Sequence, residues 1–146
     1  MSWIYLNKEF DKAPDNFVGF IYRIEFEDGK KYIGKKNFFS FRKRNFGKKE
    51  LALMTDKRLK KYEIVEKESN WRDYCSSNSE VILKIKNGDK YKKEILFFGT
   101  CSKHLTFLEE YSLYSNRALY DKDYLNDNIS GRFFTKDISE WAFRKR

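Results

Sequence analysis

Two tyrosines ten residues apart, Tyr22 and Tyr32, are followed by Lys35, Arg42, the adjacent carboxylates Glu109 and Glu110, and the amide-rich turn Tyr124-Leu125-Asn126-Asp127-Asn128. Phosphodiester hydrolysis uses such a set: a base to activate water, a cation for charge developing on phosphate, and help for the leaving oxygen. One carboxylate, here Glu109, can hold a divalent ion that keeps several waters. Arg42 could clamp a phosphate oxygen bidentately, because a guanidinium is a planar fork. A tyrosine titrates near pH 10, so about 1% is phenolate at pH 8, and lowering its pKa by two units takes roughly 2.7 kcal/mol of preferential anion stabilisation. A neighbouring cation such as Lys35 could supply much of that in a partly desolvated site. Each residue also has a plainer reading. The tyrosines could be cross-strand packing, Lys35 and Arg42 solvated charges, Glu109 a solvated helix face, and Asn126 a turn residue bonded to its own backbone.

Bringing these groups together needs a hairpin, a helix and a turn. Residues 17–26 (FVGFIYRIEF) are aromatic and β-branched, Asp28-Gly29 is a hairpin signal, and residues 31–36 read as the returning strand. Residues 38–67 read as mostly helix, above all 50–67, which lack Gly and Pro. Residues 69–79 form a break. Residues 81–85 and 94–98 read as strands around an Asn87-Gly88-Asp89 turn, forming a second hairpin or extending the first sheet. A helix follows over 105–119, and 137–146 read as a short terminal helix with a basic end. The sum is a small α+β domain, with a central antiparallel or mixed sheet and three to four flanking helices.

The whole chain of 146 residues suits one domain with a real core. A net charge of +9 points to a polyanionic partner or simply to good solubility. The distribution is more specific: residues 30–49 hold nine basic side chains and no acidic one, interleaved with Tyr32, Phe38, Phe39, Phe41 and Phe46. Aromatics that anchor a segment whose Lys and Arg point outward suit a phosphate-binding face. Cys75 and Cys101 form no CxxC pair and His104 stands alone, which argues against a zinc site. No apolar run approaches a membrane span, and the start of the chain lacks a signal-peptide pattern, so the expected location is cytoplasmic.

The segments Gly19-Phe20-Ile21-Tyr22 and Tyr32-Ile33-Gly34 resemble the paired motifs that name the GIY-YIG nucleases. Arg42, eight residues after Gly34, Glu109 on a later helix and Asn126 beyond it stand in that family's order. Lys35 is similar to the lysine of the excision-repair members. Trp71-Arg72-Asp73-Tyr74 with Ser76-Ser77, and Asn128-Ile129-Ser130-Gly131-Arg132-Phe133, resemble the phage-encoded Seg-like homing endonucleases more closely. The resemblance covers residues 17–134 of a single 1–146 domain, leaving a basic tail at 135–146. It implies a DNA endonuclease acting on double-stranded DNA with Mg²⁺ or another divalent cation, and a host-cytoplasm location if the protein is phage-encoded. It also implies a motif tyrosine as general base, taken as Tyr22 with Tyr32 as hydrogen-bonding partner or substitute. Glu109, preferred over Glu110, is the implied metal ligand; Asn126 is preferred over Asn128. Lys36, Lys43, Arg44, Arg132 and the tail are the expected DNA contacts. One position departs: the strict first motif has Gly where Phe20 stands, with Gly19 one residue earlier. That departure keeps open a catalytically silent nucleic-acid-binding module, and the charge and aromatics also permit an RNA-binding protein.

Overall fold

The computed structural model describes residues 1–138. Among the described residues the elements are β1 (Trp3–Tyr5), β2 (Lys8–Phe10), β3 (Gly19–Phe26), β4 (Lys31–Asn37), β5 (Phe39–Asn45), α1 (Lys48–Leu53), β6 (Tyr62–Glu68), α2 (Ser79–Lys86), β7 (Tyr91–Gly99), α3 (Ser102–Ser115), β8 (Asn128–Ile129) and β9 (Phe133–Phe134), with a 3-10 turn at Thr135–Asp137. The expected terminal helix over 137–146 falls largely outside the described residues.

The main sheet has the order β2-β1-β7-β3-β4, antiparallel except for the parallel pair β1–β7. It is the mixed sheet of a small α+β domain. The β3–β4 hairpin forms at Asp28-Gly29: Gly29 has φ +90°, and the Asp28 side chain accepts from the Lys30 N–H at 3.0 Å. β1 and β2 precede residue 17, where the resemblance began, yet Trp3 is wholly buried in the aromatic core. That core covers one face of the sheet, with Phe20, Tyr22, Ile24 and Phe26 from β3 meeting Trp3, Phe38, Trp71 and Val81. On the other face Ile21 and Ile33 meet Leu105 and Leu113 of α3 with Tyr124 and Ile129.

Two expected elements differ. Over 50–67 the helix stops at Leu53, and β6 pairs with β5 in a separate two-stranded sheet. Asp56 bonds the Arg58 N–H at 3.0 Å, an Asx turn that competes with helix. The β-branched and aromatic residues Tyr62, Ile64 and Val65 then suit a strand once a partner is present. Residues 81–85 are helical, not extended. Asn78 caps α2 by accepting from the N–H groups of Glu80 and Val81, and Lys84 and Lys86 lie in the last turn. Val81 and Ile85 point together at the core, four residues apart. β7 instead extends the first sheet through β3.

Two glycines let neighbours come close. A Cβ on Gly19 would lie 2.4 Å from the Lys36 carbonyl oxygen and 2.8 Å from Leu105. A Cβ on Gly34 would lie 2.4 Å from the Tyr22 phenol oxygen. Tyr22 is directly opposite Gly34 in the β3–β4 register, and its ring lies over that bare position. Gly34→Ala is therefore expected to cost about 1–3 kcal/mol, as overpacking of a full core does. Gly47→Ala, where an added Cβ meets nothing within 4 Å, is the matched control. Urea or thermal melts check this; equal melting of both variants overturns the close approach.

Candidate active site

A polar cleft of about 170 Å³ opens at the outer edge of β4. Tyr32 enters it from the strand, Glu109 from α3, Asn126, Asp127 and Ser130 from the segment after α3, and Asn78 from the cap of α2. The cleft straddles the sheet edge. Tyr32 shares its face with Tyr22 and Gly34, while α3 packs on the opposite face. A larger, mainly apolar depression beside Leu113, Ala118 and Ile129 carries no carboxylate or histidine.

Tyr22 and Tyr32 are diagonal neighbours with ring centroids 6.3 Å apart. Their environments differ. Tyr22 is 1% exposed and does not line the cleft, whereas Tyr32 is half-buried and does. Burial pushes the Tyr22 phenol far above its ordinary range, with Tyr74 and Tyr32 adding to the rise. Burial also raises the Tyr32 phenol, and Glu109 is the largest charge adding to that rise. Lys35 acts on Glu109 and is not among the groups that shift either phenol. Its ammonium donates to the Thr106 hydroxyl at 3.0 Å.

Ser76 is the group that acts against the rise of both phenols. It is buried, with φ +118°, a backbone conformation that is strained for any residue but glycine. The loop is pinned from inside. The buried Lys93 ammonium donates to the Arg72 and Tyr74 carbonyls at 3.2 and 3.0 Å and sits 4.3 Å from the Trp3 ring centroid. Ser76 stood in a segment that resembles the Seg-like enzymes but was given no role there, and Lys93, among surface-type lysines, carried no distinguishing signal. Trp71 is buried in the core, and Tyr74 packs against that core, edge-on to Tyr22, and borders the phenols.

Glu109 lies four residues from both Leu105 and Leu113, on the buried row of α3. Burial raises its pKa, Lys35 opposes that rise, and Glu110 adds to it. Glu110 instead accepts from the Ser130 hydroxyl at 2.8 Å. Asn126 is clamped to β4: its Oδ1 accepts from the Ile33 N–H at 3.0 Å and its Nδ2 donates to the Ile33 carbonyl at 2.8 Å. It continues the pairing begun by Lys31 with Asp123 and Leu125, covering the sheet edge and fixing the backbone beside Tyr32. Asn128 bonds Asp127 and the Gly131 N–H within its own turn.

The remaining basic residues stand apart from the cleft lining. Arg42 is exposed on β5, opposite Val65. Lys36 lies 4.1 Å from the Tyr74 ring centroid, and burial lowers its pKa. Lys43 lies 3.9 Å from the Tyr62 ring centroid. Arg44, an expected DNA contact, is instead held by Glu50 and Glu63. Arg132 is exposed in the turn between β8 and β9. Phe20 packs against Trp3, Phe38 and Trp71, so the departure from the strict motif alters core packing and not the cleft lining.

Among the described residues no group of three or more His, Cys, Asp or Glu side chains is placed to hold a metal. The cleft offers the Glu109 carboxylate with oxygen-bearing neighbours, which fits a hard ion that keeps waters and not a tetrahedral N/S cage. Among the described residues no helix is long and apolar enough to cross a membrane.

The raised Glu109 pKa has a stability consequence. A carboxyl that titrates higher when folded stabilises fully below its unfolded pKa, and that contribution disappears as pH rises through the folded value. Glu109→Gln should therefore melt higher than the parent at neutral pH, with the difference shrinking toward zero below the ordinary carboxyl pKa. Melting curves across pH check this; a neutral-pH variant that melts lower overturns it.

Residues 3–129 match the family described as "Putative endonuclease segE, GIY-YIG domain". No curated protein and no solved structure matches the chain. The match runs from the buried Trp3 to Ile129, taking in the motif hairpin, α3 and the Asn126 clamp. The chain belongs to the segE-type GIY-YIG endonuclease family.

Proposed function

We propose that this protein is a divalent-metal-dependent endonuclease that hydrolyses phosphodiester bonds in double-stranded DNA. The observation that carries the reading is the meeting of Tyr32 and Glu109 in one polar cleft, with Lys35 acting on Glu109. Glu109 is the metal ligand. A divalent ion there would supply charge for the scissile phosphate and offset the carboxylate that raises the Tyr32 phenol.

Tyr32 takes the proton from water, because it is the phenol that lines the cleft. Tyr22 stands behind it and, with Ser76 and Tyr74, sets its orientation. This exchanges the roles that the sequence suggested for the two tyrosines. Asn126 holds the strand beside Tyr32, and Lys35 balances Glu109. Arg42, which has no ion pair among the described residues, offers its fork to a phosphate of bound DNA.

Nicking of supercoiled plasmid with Mg²⁺ tests the reading. The parent should nick, Glu109→Ala should lose cleavage while still binding DNA, and Tyr32→Phe should slow it by roughly 10²–10⁴. Salt-sensitive binding without nicking in any divalent ion would mark a silent binding module instead.

The raised Tyr32 pKa sets a pH signature. Phenolate grows about tenfold per pH unit below its pKa. The single-turnover rate should therefore climb through the neutral and mildly alkaline range without levelling, and lose that slope in Tyr32→Phe. A flat profile moves proton abstraction to another group.

A further inference from the structure

The segment β5–α1–β6 is a two-stranded sheet of its own, apart from the five strands of the body. It joins the body at Ser69, whose N–H donates to the Phe38 carbonyl at 2.9 Å and whose hydroxyl donates to the Asn37 carbonyl at 2.6 Å. Residues 39–68 hold ten Lys and Arg against five Asp and Glu. Four of those five acids sit in ion pairs, two of them on one arginine. Glu50 and Glu63 hold Arg44, Asp56 holds Arg58, and Glu68 pairs with Arg72. Glu66 remains, against eight Lys and Arg that form no ion pair among the described residues.

The ribbon also presents apolar side chains to water. Phe41 is 64% and Ile64 59% exposed. Phe41 pairs with Glu66 and Ile64 with Lys43, so the two are diagonal neighbours on one ribbon face. Lys43 and Lys60 both lie over the Tyr62 ring, which gathers positive charge at that end of the ribbon. A narrow antiparallel ribbon with unpaired cations and an exposed apolar strip complements the major groove of B-form DNA. That groove is about 12 Å wide, admits two strands, and offers phosphates on its walls and thymine methyls on its floor.

We propose that β5–α1–β6 is a grasping arm that lies in the major groove of a DNA duplex and supplies affinity separately from the chemistry of the cleft. The proposal rests on the nucleic-acid reading above and specifies which surface takes the duplex and how. It also gives Arg42, on β5, a route to a backbone phosphate that the cleft alone does not provide.

The test is equilibrium binding of the full chain to a short DNA duplex in EDTA over a salt series, so the result stands whether or not the chain cuts. The variant Lys57→Ala/Lys60→Ala/Lys61→Ala removes exposed arm charges. Lys8→Ala/Lys12→Ala/Lys86→Ala removes as many from other elements, and thermal melts confirm that each folds. The arm variant should bind at least about tenfold more weakly at low salt, with a log K against log salt slope shallower by roughly 0.9 per lost phosphate contact, whereas the control keeps the parent slope. Phe41→Ala should weaken binding severalfold at an unchanged slope. Equal losses in the two triple variants would mean diffuse charge and overturn the arm. Parent-like binding by Phe41→Ala overturns insertion into the groove. So does an equal effect of the arm variant on duplex RNA, whose major groove is too narrow to enter.

Discussion

The Tyr22 ring occupies the space that a side chain at position 34 would need, and much of the site follows from that exclusion. It holds the hairpin in the register that pairs Tyr22 with Gly34 and places Tyr32 diagonally beside Tyr22 on the same face. A one-residue slip would turn Tyr32 toward α3. The β3–β7 register also shifts between Ile21 and Tyr22, a bulge that adds local twist where the buried phenol sits. The second motif's glycine is therefore the space into which the first motif's tyrosine fits.

Around this pair the charges follow one scheme. Burial works against ionising Tyr22, Tyr32 and Glu109, and each has a particular group opposing it. Ser76 opposes it for the phenols and Lys35 for Glu109. The interior cation, Lys93, bonds to backbone carbonyls and a ring face, which limits the cost of desolvating it. Those bonds hold the loop carrying Ser76 and Tyr74. Strain at Ser76 is thus tied to a buried ammonium, an arrangement that positions a hydroxyl at the cost of some stability.

The body and the ribbon obey different physics. The sheet is buried on both faces by aromatic and aliphatic clusters, which makes the cleft rigid where Tyr32, Glu109 and Asn126 enter it. The β5–β6 ribbon has no third strand, and two strands alone are marginal in water. Its order depends on the Arg44 ion pairs with Glu50 and Glu63 and on its junction at Ser69. Such a segment can adapt to a partner while the cleft keeps its shape.

Local pattern was enough to read the β3–β4 hairpin and α3, because turn chemistry and side-chain periodicity are written in neighbouring residues, whereas the order of Tyr22, Tyr32, Lys35, Arg42, Glu109 and Asn126 was read from the family resemblance. Helical periodicity did not separate Glu109 from Glu110, and the preference for Glu109 came from the resemblance. The errors fell where a distant partner outweighs local preference. Residues 62–68 became a strand because β5 lies alongside, and 81–85 a helix because the Asn78 cap and a core-facing Val81 outweigh β-branched composition. Which tyrosine meets the cleft, which cation faces Glu109, and that Ser76 and Lys93 take part were decided by tertiary packing alone. Burial and through-space charge depend on what the fold lays across each group, and no spacing along the chain carries that information.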